Sequence, residues 1–385
     1  MKIVYIYPQM VERAGTERIL SDKMNYLAEQ EGYEIVLLTY EQCSRPLAFP
    51  LSPKIRHVDL DMRYYPYYRY NLFVRLYKWR QLDKVLQARY DSFMSEFLPD
   101  IVITTTSYAR PVAMVSRCAI PCVRLLESHI DRRYIMNNAP AVKGNLKEWC
   151  LGFLDMRTLT QCARRFDLLV ALTQSDADEW SNFLKTIVIT NMVHSNPTGK
   201  LASLVRKHVI FVGRYTLQKG IPDLFKVWQI VHSRHPDWHL DLYGEGDMRD
   251  EVMQMAQYLN ANIHVNAPSS RIFDCYMESS ILVLTSLFEP FGLVLPEAMS
   301  CGLPVVAFIC PSGPAQIITD GVDGYLISER KISLFADKVC QLIEFPEIRQ
   351  RMGKAAIKSA ERYMPSVVMP LWCKLFETIQ KIGNK

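Results

Sequence analysis

Long hydrophobic runs are missing from this sequence of 385 residues, although 49% of the residues are hydrophobic. No apolar run reaches the roughly 18 residues that a membrane-spanning helix needs. The apolar run within residues 1–8 is too short for a signal peptide and has no small-residue cleavage site. We therefore expect a cytoplasmic chain. The chain has 22% charged residues and a mean hydropathy near zero. This composition excludes a disordered or fibrous protein.

Cysteine pairs with the Cys-x-x-Cys spacing are also missing. The ten cysteines are spread from Cys43 to Cys373, and no two of them form a Cys-x-x-Cys pair. Because a chain of this length can bury a core without cross-links, we predict reduced, structural cysteines rather than a disulfide scaffold. No Asp-x-Asp lies at the end of a predicted strand, and the histidines show no ligand spacing, so we predict no metal site.

The excess of positive charge is small, with 45 Lys and Arg against 40 Asp and Glu. Residues 1–195 contain 25 basic and 21 acidic residues, which is most of the net charge of +5. This excess is too mild to favour nucleic acid as a partner. It indicates that the first half, rather than the second, faces an anionic acceptor or surface.

Two series of short, β-branched apolar runs alternate with helical patterns, and a polar stretch separates them. Alternation of this kind predicts parallel sheets with helices on both faces. Since the length exceeds one comfortable core, we predict an α/β protein with two doubly wound, Rossmann-like domains facing each other across a cleft. The predicted strands are 2–7, 34–39, 101–104, 123–126, 168–172 and 187–189 in the first series, and 208–212, 239–243, 263–266, 281–285 and 304–308 in the second.

The domain boundaries follow from breaker residues. The cluster at 196–200, Asn-Pro-Thr-Gly-Lys, is the strongest of them. Pro365 and Pro370 are expected to interrupt the helical pattern at the end of the chain. The predicted parts are an N-terminal domain over 1–195, a linker over 196–207, a C-terminal domain over 208–364 and a helical segment over 365–385.

The most specific stretch follows the predicted strand 281–285. Glu289 and Glu297 flank a turn that contains Gly292, and Pro296 is expected to open a helix with Glu297 in its first turn. Two carboxylates here suit the hydroxyls of a sugar, and the turn amides suit a phosphate. The alternative is that Glu297 only complements a helix dipole and that Glu289 is a solvated loop charge.

A second stretch lies where strand 208–212 gives way to a loop. Arg214 and Lys219 place two cations beside Gly220, which suits a diphosphate and could neutralise a leaving group without a metal. The alternative is a pair of solvated side chains. The Gly-x-Gly at 244–246 is a third, weaker signal, because a dinucleotide fingerprint needs a third glycine.

In this order and spacing, these segments resemble the retaining glycosyltransferases of family four, which have the GT-B fold. The most specific parts of the resemblance are 289–302, 304–307 and 313–324. It implies a glycosyltransferase that moves a sugar from a nucleotide-sugar, UDP-linked by preference, to a saccharide or lipid-linked saccharide acceptor. Surface polysaccharide or glycolipid assembly is the expected setting. The resemblance also implies that the C-terminal helix packs back toward the N-terminal domain.

The resemblance assigns roles to residues of the second half. It implies that Glu297 binds the ribose hydroxyls of the donor and that Glu289 faces the hydroxyls of the donor sugar. The amides of Phe291, Gly292 and Leu293 are expected to approach the donor sugar and phosphates.

Further roles follow for both halves. Arg214 and Lys219 match the residues that grip the diphosphate. Gly15 matches a glycine-rich loop after the first strand, where Ala14 replaces the first of two glycines common in the family, so the loop geometry is in question. His129, in a Glu-x-His pattern, either lines the donor-sugar site or is a hydrogen-bonded structural residue.

The expected mechanism is electrostatic. Arg214, Lys219 and backbone dipoles would stabilise the departing diphosphate, while Glu289 and His129 position the reactants. Glu289 as a covalent nucleophile is a less favoured variant. We expect no cofactor and no metal requirement. The competing functions are a sugar-nucleotide epimerase or phosphorylase of the same fold, and a catalytically silent nucleotide-sugar-binding module.

Residues 61–80 contain five basic residues and eight aromatic residues but one acidic residue. Such a composition suits the headgroup region of an anionic membrane, so we predict a peripheral contact with the inner face of the membrane. The alternative is an amphipathic helix whose aromatic side chains pack in the N-terminal domain.

Overall fold

The computed structural model describes residues 1–67, 69–130, 132, 146–194 and 196–383. Contacts within the chain divide it into two units. The first unit comprises Met1–Thr190 and Met369–Lys385, and the second comprises Asn191–Val368. Each unit is built around one parallel sheet, which confirms the predicted α/β class.

Among its described residues, the first unit contains seven strands, and every strand pair is parallel. The strands are β1 (Lys2–Ile6), β2 (Glu34–Thr39), β3 (Arg56–Asp59), β4 (Ile101–Thr105), β5 (Val123–Ser128), β6 (Leu168–Ala171) and β7 (Thr186–Val188). Their order in the sheet is β3-β2-β1-β4-β5-β6-β7. The described helices of this part are α1 (Gly15–Ala28), α2 (Leu72–Phe97), α3 (Ala109–Val115), α4 (Leu146–Ala163) and α5 (Gln174–Ser181).

The two faces of this sheet differ in chemistry because successive strand residues point to opposite faces. Val4 and Ile6 of β1 lie in a large apolar cluster that also contains Trp180 of α5. Tyr5, between them, points to the opposite face, where the ammonium group of Lys23 of α1 lies 5.9 Å from its ring centroid. One face is thus an apolar core, and the other accommodates a buried charge.

The second unit contains six parallel strands. They are β8 (His208–Val212), β9 (His239–Tyr243), β10 (Ile263–Asn266), β11 (Ile281–Leu284), β12 (Val305–Phe308) and β13 (Gly324–Ile327). Their order is β10-β9-β8-β11-β12-β13, so β8, β11 and β12 are neighbours. The helices are α6 (Ile221–Arg234), α7 (Arg249–Leu259), α8 (Ile272–Met277), α9 (Val294–Ser300), α10 (Pro314–Ile317), α11 (Ile332–Glu344) and α12 (Pro346–Ala360). Large aromatic side chains, including Phe211, Trp228 and Phe335, fill its core.

Several sequence predictions need correction. The strands β3 and β13 were not predicted, because they are short and carry polar residues or glycine. The helical pattern does break at Pro365 as predicted, because α12 ends at Ala360 and a new helix, α13 (Pro365–Gly383), begins at Pro365, but α13 continues through Pro370. Proline is tolerated in the first helical turn, whereas Pro370 removes one N–H donor without ending the helix.

The structure also places the division between units differently from the sequence. The second unit begins at Asn191, before the predicted linker at 196–207, and the chain returns to the first unit at Met369. Within the predicted linker, the Asn196 side chain is buried and donates to the carbonyl of Lys200 at 2.8 Å. Arg349 of α12 donates to the carbonyl of Leu204 at 3.0 Å. These contacts hold the segment on the second unit.

In the part of the chain that the structure describes, no helix is long and apolar enough to cross a membrane.

Candidate functional site

Three loops of the second unit lie side by side because β8, β11 and β12 are adjacent and parallel, so their carboxyl ends share one edge of the sheet. Hydrogen bonds join the first two loops. The Thr285 hydroxyl donates to the carbonyl of Lys219 at 3.0 Å, and the Leu287 N–H donates to the carbonyl of Gln218 at 2.8 Å. The side-chain amide of Gln218 donates in turn to the carbonyl of Phe288 at 3.1 Å.

Lys219 and Glu289, which are 70 residues apart in sequence, form an ion pair where these loops meet. The ammonium group lies 2.5 Å from Glu289 Oε2, and the two side chains are 13% and 9% exposed. The Ser286 hydroxyl donates to the same carboxylate oxygen at 3.1 Å. Glu289 is therefore not the solvated loop charge that the alternative described. An ammonium has three N–H donors, so Lys219 keeps hydrogen-bonding capacity for a ligand.

Arg214 lies in the same loop as Lys219 but is exposed, and its guanidinium is 3.4 Å from the Gln218 side-chain oxygen. The structure thus brings Arg214 to the site and leaves its planar group accessible to a phosphate. Its contact with a diphosphate stays a prediction.

The turn at Phe291, Gly292 and Leu293 follows Glu289. Phe291 is buried, and its ring packs edge-on against the ring of Tyr363, with 5.3 Å between centroids. Gly292 has a φ of +90°, and a Cβ there would lie 3.1 Å from Cγ of Glu289. Within the described residues, none of the three turn N–H groups donates to a backbone carbonyl. They are the amides that the sequence predicted to face a donor.

Glu297 lies in the first turn of α9, but the helix begins at Val294 rather than at Pro296. The prediction that Pro296 opens the helix is wrong, because residues 294 and 295 already adopt helical geometry. Glu297 is 3% exposed, and its Oε2 accepts a hydrogen bond from the Tyr276 hydroxyl at 3.2 Å. A buried, hydrogen-bonded carboxylate is more than an exposed complement to a helix dipole.

Arg330 connects the loop after β11 to a neighbouring helix, and no motif in the sequence indicated this role. It donates to the carbonyls of Ser286 at 3.0 Å and Thr285 at 2.9 Å, and its Nε donates to Asp223 of α6 at 3.0 Å. The planar guanidinium therefore joins the loop after β11 to the start of α6.

The glycine-rich loop of the first unit leads into α1. Ala14 occupies the N-cap position without a capping side chain, and Gly15 is exposed at the first helical position. In the first turn, Glu17 is buried and accepts a hydrogen bond from the Tyr7 hydroxyl at 3.2 Å. The contact of Gly15 with a donor stays a prediction.

His129 follows β5 and belongs to a buried polar network. Its Nε2 lies 2.9 Å from Glu127 Oε2, and Glu127 is also paired with Lys23. All three side chains are less than 5% exposed. The ammonium group of Lys23 lies 4.1 Å from the ring centroid of Trp372 in α13. The structure thus shows a hydrogen-bonded histidine, and a contact of His129 with a donor sugar stays a prediction.

The network holds opposite charges in a dry environment. Burial lowers the pKa of Lys23, while its pairing with Glu127 opposes that shift. Burial would raise the pKa of Glu127, but Lys23 and His129 outweigh it and hold that pKa below its ordinary value. The lowered pKa favours the ionised form of Glu127, which the close pairing with Lys23 stabilises.

One Asp-x-Asp does lie at a strand end, contrary to the sequence prediction. Asp59 ends β3, which was not predicted, and Asp61 follows two residues later. The carboxylate of Asp59 already accepts hydrogen bonds from other residues, namely from the Thr39 hydroxyl at 2.9 Å and from the Cys43 N–H at 2.9 Å. Among the described residues, no three His, Cys, Asp or Glu side chains are grouped to hold a metal ion. Metal independence stays a prediction.

Residues 61–80 divide between core and surface, with Tyr68 outside the described residues. Tyr64 is buried, and its hydroxyl donates to Asp83 at 2.7 Å. Arg75 is buried as well, with its guanidinium 4.9 Å from the ring centroid of Trp79. In contrast, Tyr65, Phe73 and Tyr77 are 82%, 84% and 61% exposed. The packing alternative therefore accounts for only part of this segment.

Comparisons with known proteins identify glycosyltransferases that are similar to this chain. Residues 200–359 match the profile of the family described as glycosyl transferases group 1. An uncharacterized glycosyltransferase of Haemophilus influenzae is 28% identical over 96% of this chain and 98% of its own length. The amylovoran biosynthesis glycosyltransferase AmsD of Erwinia amylovora is 25% identical over the same shares of the two chains.

Solved structures share the fold. Sucrose-phosphate synthase from Thermosynechococcus elongatus superposes with a TM-score of 0.78 at 15% identity, over 99% of both chains. HepE of Anabaena in complex with UDP-glucose superposes with a TM-score of 0.74 at 16% identity, over 98% of this chain and all of that one. The predicted GT-B fold class is confirmed.

The buried network of the first unit predicts a large loss of stability when one charge is removed. We expect Lys23→Met to lower the free energy of unfolding by about 3–5 kcal/mol, because it leaves Glu127 buried without its cation. Adding Glu127→Gln should restore part of the loss. Denaturant unfolding measures both. Lys54→Met, in an exposed pair with Glu29, is the control and should cost under about 1 kcal/mol. Equal losses in the two single variants would contradict a buried, charged network.

The loop that carries Lys219 depends on a close backbone contact. Gly220 has a φ of +64°, and a Cβ there would lie 2.0 Å from the carbonyl oxygen of Thr285. We expect Gly220→Ala to cost roughly 3 kcal/mol or more, from backbone strain and forced separation of the loops. Gly199→Ala is the matched control, since its φ is +65° with nothing within 4 Å of a new Cβ. It should cost about 1 kcal/mol. Similar midpoints of denaturant unfolding for the two variants would refute the close contact between Gly220 and the carbonyl of Thr285.

Proposed function

We propose that this chain, whose residues 200–359 match the profile of the glycosyl transferases group 1 family, is a retaining glycosyltransferase with a UDP-sugar donor. The acceptor is a saccharide or a lipid-linked saccharide in the assembly of a surface polysaccharide or glycolipid. The observation that carries this proposal is the ion pair between Lys219 and Glu289. Glu289 lies just before the Gly292 turn in the sequence, so the pair is adjacent to the amides of that turn.

The choice of donor and setting has separate support. UDP-glucose is bound in the HepE structure, whose fold this chain shares. The relative from Erwinia amylovora acts in amylovoran biosynthesis, according to its name. Within the site, Glu297 provides a buried carboxylate for the ribose hydroxyls, and the turn amides provide donors for phosphate oxygens.

The reaction requires charge stabilisation rather than an acid. The bond from C1 of the donor sugar to the diphosphate oxygen breaks, and the diphosphate takes the electron pair. Lys219 and Arg214 stabilise that developing charge. The acceptor hydroxyl attacks C1 from the face that the diphosphate leaves, and its proton passes to a phosphate oxygen, so configuration is retained.

The surroundings of Glu289 favour a positioning role over covalent catalysis. Its Oε2 already accepts hydrogen bonds from Lys219 and Ser286. An ion pair this close lowers the nucleophilicity of the carboxylate, because attack on C1 would remove the charge that Lys219 compensates. Glu289 thus orients Lys219 and offers its remaining lone pairs to the hydroxyls of the sugar. Gly15 and His129 remain predicted contacts of the donor.

A nucleotide-release assay tests the proposal. Purified protein is incubated with UDP-, GDP- and ADP-sugars and a panel of saccharide and lipid-linked acceptors, and released nucleotide is measured. We expect release from a UDP-sugar that depends on acceptor and is unchanged by a chelator. Lys219→Met should reduce kcat on the order of 100-fold, because one preorganised cation is lost. Glu289→Ala and Arg214→Ala should also reduce the rate.

Lys226→Met is the control, since Lys226 lies on α6 with a side chain that is 65% exposed, and it should retain wild-type rates. Undiminished release of nucleotide in the Lys219, Glu289 and Arg214 variants would refute the assignment of these residues to the donor site. Binding of UDP without turnover across the whole panel would identify a silent binding module. Restoration by manganese after chelation would refute metal independence, and a glycosyl adduct trapped on Glu289 would refute the positioning role.

We also propose that residues 61–80 contact an anionic membrane, which would bring the enzyme to a lipid-linked acceptor. Phe73 and Tyr77 lie four residues apart on α2 and are both exposed, followed by exposed Arg80 and Lys84 on the same helical face. Tyr65 adds an exposed ring beside the start of this helix. Aromatic rings with nearby cations match the headgroup region of an anionic bilayer.

Vesicle sedimentation tests this contact. At low salt, the protein should bind vesicles that contain phosphatidylserine and should be released as salt rises, because the attraction is electrostatic. The double variant Phe73→Ser with Tyr77→Ser should bind several-fold more weakly. Tyr258→Ser is the matched control, since Tyr258 is 88% exposed on the second unit. No binding at low salt, or equal losses in both variants, would refute the membrane contact.

A further inference from the structure

Tyr276 is a buried residue of the second unit that no sequence motif marked. It lies in the short helix α8, just before β11, and is completely buried. The ring of Phe273 packs edge-on against it, with 6.0 Å between centroids. Its hydroxyl lies 3.2 Å from Oε2 of Glu297, also buried, and donates a hydrogen bond to it.

This hydrogen bond determines how the carboxylate of Glu297 can act. An ionised carboxylate has two oxygens with about four lone-pair positions, and a buried one loses free energy unless it accepts hydrogen bonds. A donor at Oε2 restricts rotation of the carboxylate about its last torsion, which is otherwise broad. The carboxylate is thereby held in one plane.

Two adjacent hydroxyls of a ribose require such an orientation. They lie on neighbouring carbons, so a carboxylate that accepts from both must present its oxygens in a defined plane. A site that pairs with hydroxyl groups discriminates strongly against an analogue that lacks them, because its buried polar atoms then remain unpaired.

We propose that Tyr276 is a positioning residue for donor recognition. Its hydroxyl orients Glu297, and discrimination between ribose and deoxyribose nucleotides depends on it. This inference rests on the proposed function, in which Glu297 binds the ribose of the donor. Tyr276 itself acts through Glu297 rather than on the reacting atoms.

The test compares UDP with 2′,3′-dideoxy-UDP by calorimetry and measures kcat and KM for the UDP-sugar. Tyr276→Phe removes only the hydroxyl and keeps the ring. The measured quantity is the dissociation constant of 2′,3′-dideoxy-UDP divided by that of UDP. We expect Tyr276→Phe to lower this ratio on the order of tenfold, because it weakens the binding of UDP and leaves the binding of the dideoxy compound unaffected. KM for the UDP-sugar should rise by a similar factor, while kcat changes less than about twofold.

Tyr215→Phe is the matched control. Tyr215 is another buried tyrosine of this unit, and its hydroxyl donates to the backbone carbonyl of Asn266 at 2.8 Å. Its loss should shift the thermal midpoint by an amount similar to that of Tyr276→Phe, without a change in the ratio. In the double variant Tyr276→Phe with Glu297→Gln, the ratio should fall no further than in Glu297→Gln alone, because both changes remove one interaction.

The outcomes separate this inference from the proposed function. If Glu297→Gln leaves the ratio unchanged, Glu297 does not bind ribose and the proposed donor site is wrong. If Glu297→Gln lowers the ratio but Tyr276→Phe does not, the donor site stands and the role of Tyr276 is refuted. An equal loss of affinity for both nucleotides in Tyr276→Phe would also refute it, since that result indicates a structural role.

Discussion

The pairing of Lys219 with Glu289 is the constraint on which the second unit depends. Both side chains are about nine-tenths buried, and an unpaired charge at such a position would cost several kcal/mol. The two residues come from different loops, so the pair is possible only where β8 and β11 are neighbours. The sheet order that places these strands together is therefore also what keeps the two charges compensated. A change that separates the loops removes the cation from the site and the compensation from the carboxylate.

Close backbone contacts keep these loops at a fixed distance. A Cβ on Gly244 would lie 1.9 Å from the carbonyl oxygen of Gly213, and one on Gly313 would lie 2.1 Å from that of Phe291. Glycine is needed at these positions because no side chain fits between the backbones. The Gly-x-Gly at 244–246, which resembles part of a nucleotide fingerprint, is explained by this packing against the loop of Arg214. A glycine motif at a strand end can thus serve the binding loop beside it.

The sequence predicts most strands of the two sheets but misses two of them. The predicted limits of β2, β8, β9 and β10 match the structure residue for residue. The missed β3 contains Arg, His and Asp. Motif spacing predicted that Lys219 and Glu289 share a site, because strand ends meet at one edge. Tyr276 and Arg330 could not be predicted, since their contacts depend on tertiary packing between segments that carry no motif.

Each unit contains a lysine paired with a glutamate near the carboxyl ends of its strands, and burial distinguishes the two pairs. In the first unit, Lys23 and Glu127 are 4% and 3% exposed, and Trp372 covers the ammonium group. A substrate has little access to such a pair. Its main effect is therefore to hold α1 and α13 on the sheet. Lys219 and Glu289 are 13% and 9% exposed, beside a turn with N–H groups available for a ligand. The same ionic chemistry is therefore enclosed in one unit and, in the other, lies beside the Gly292 turn.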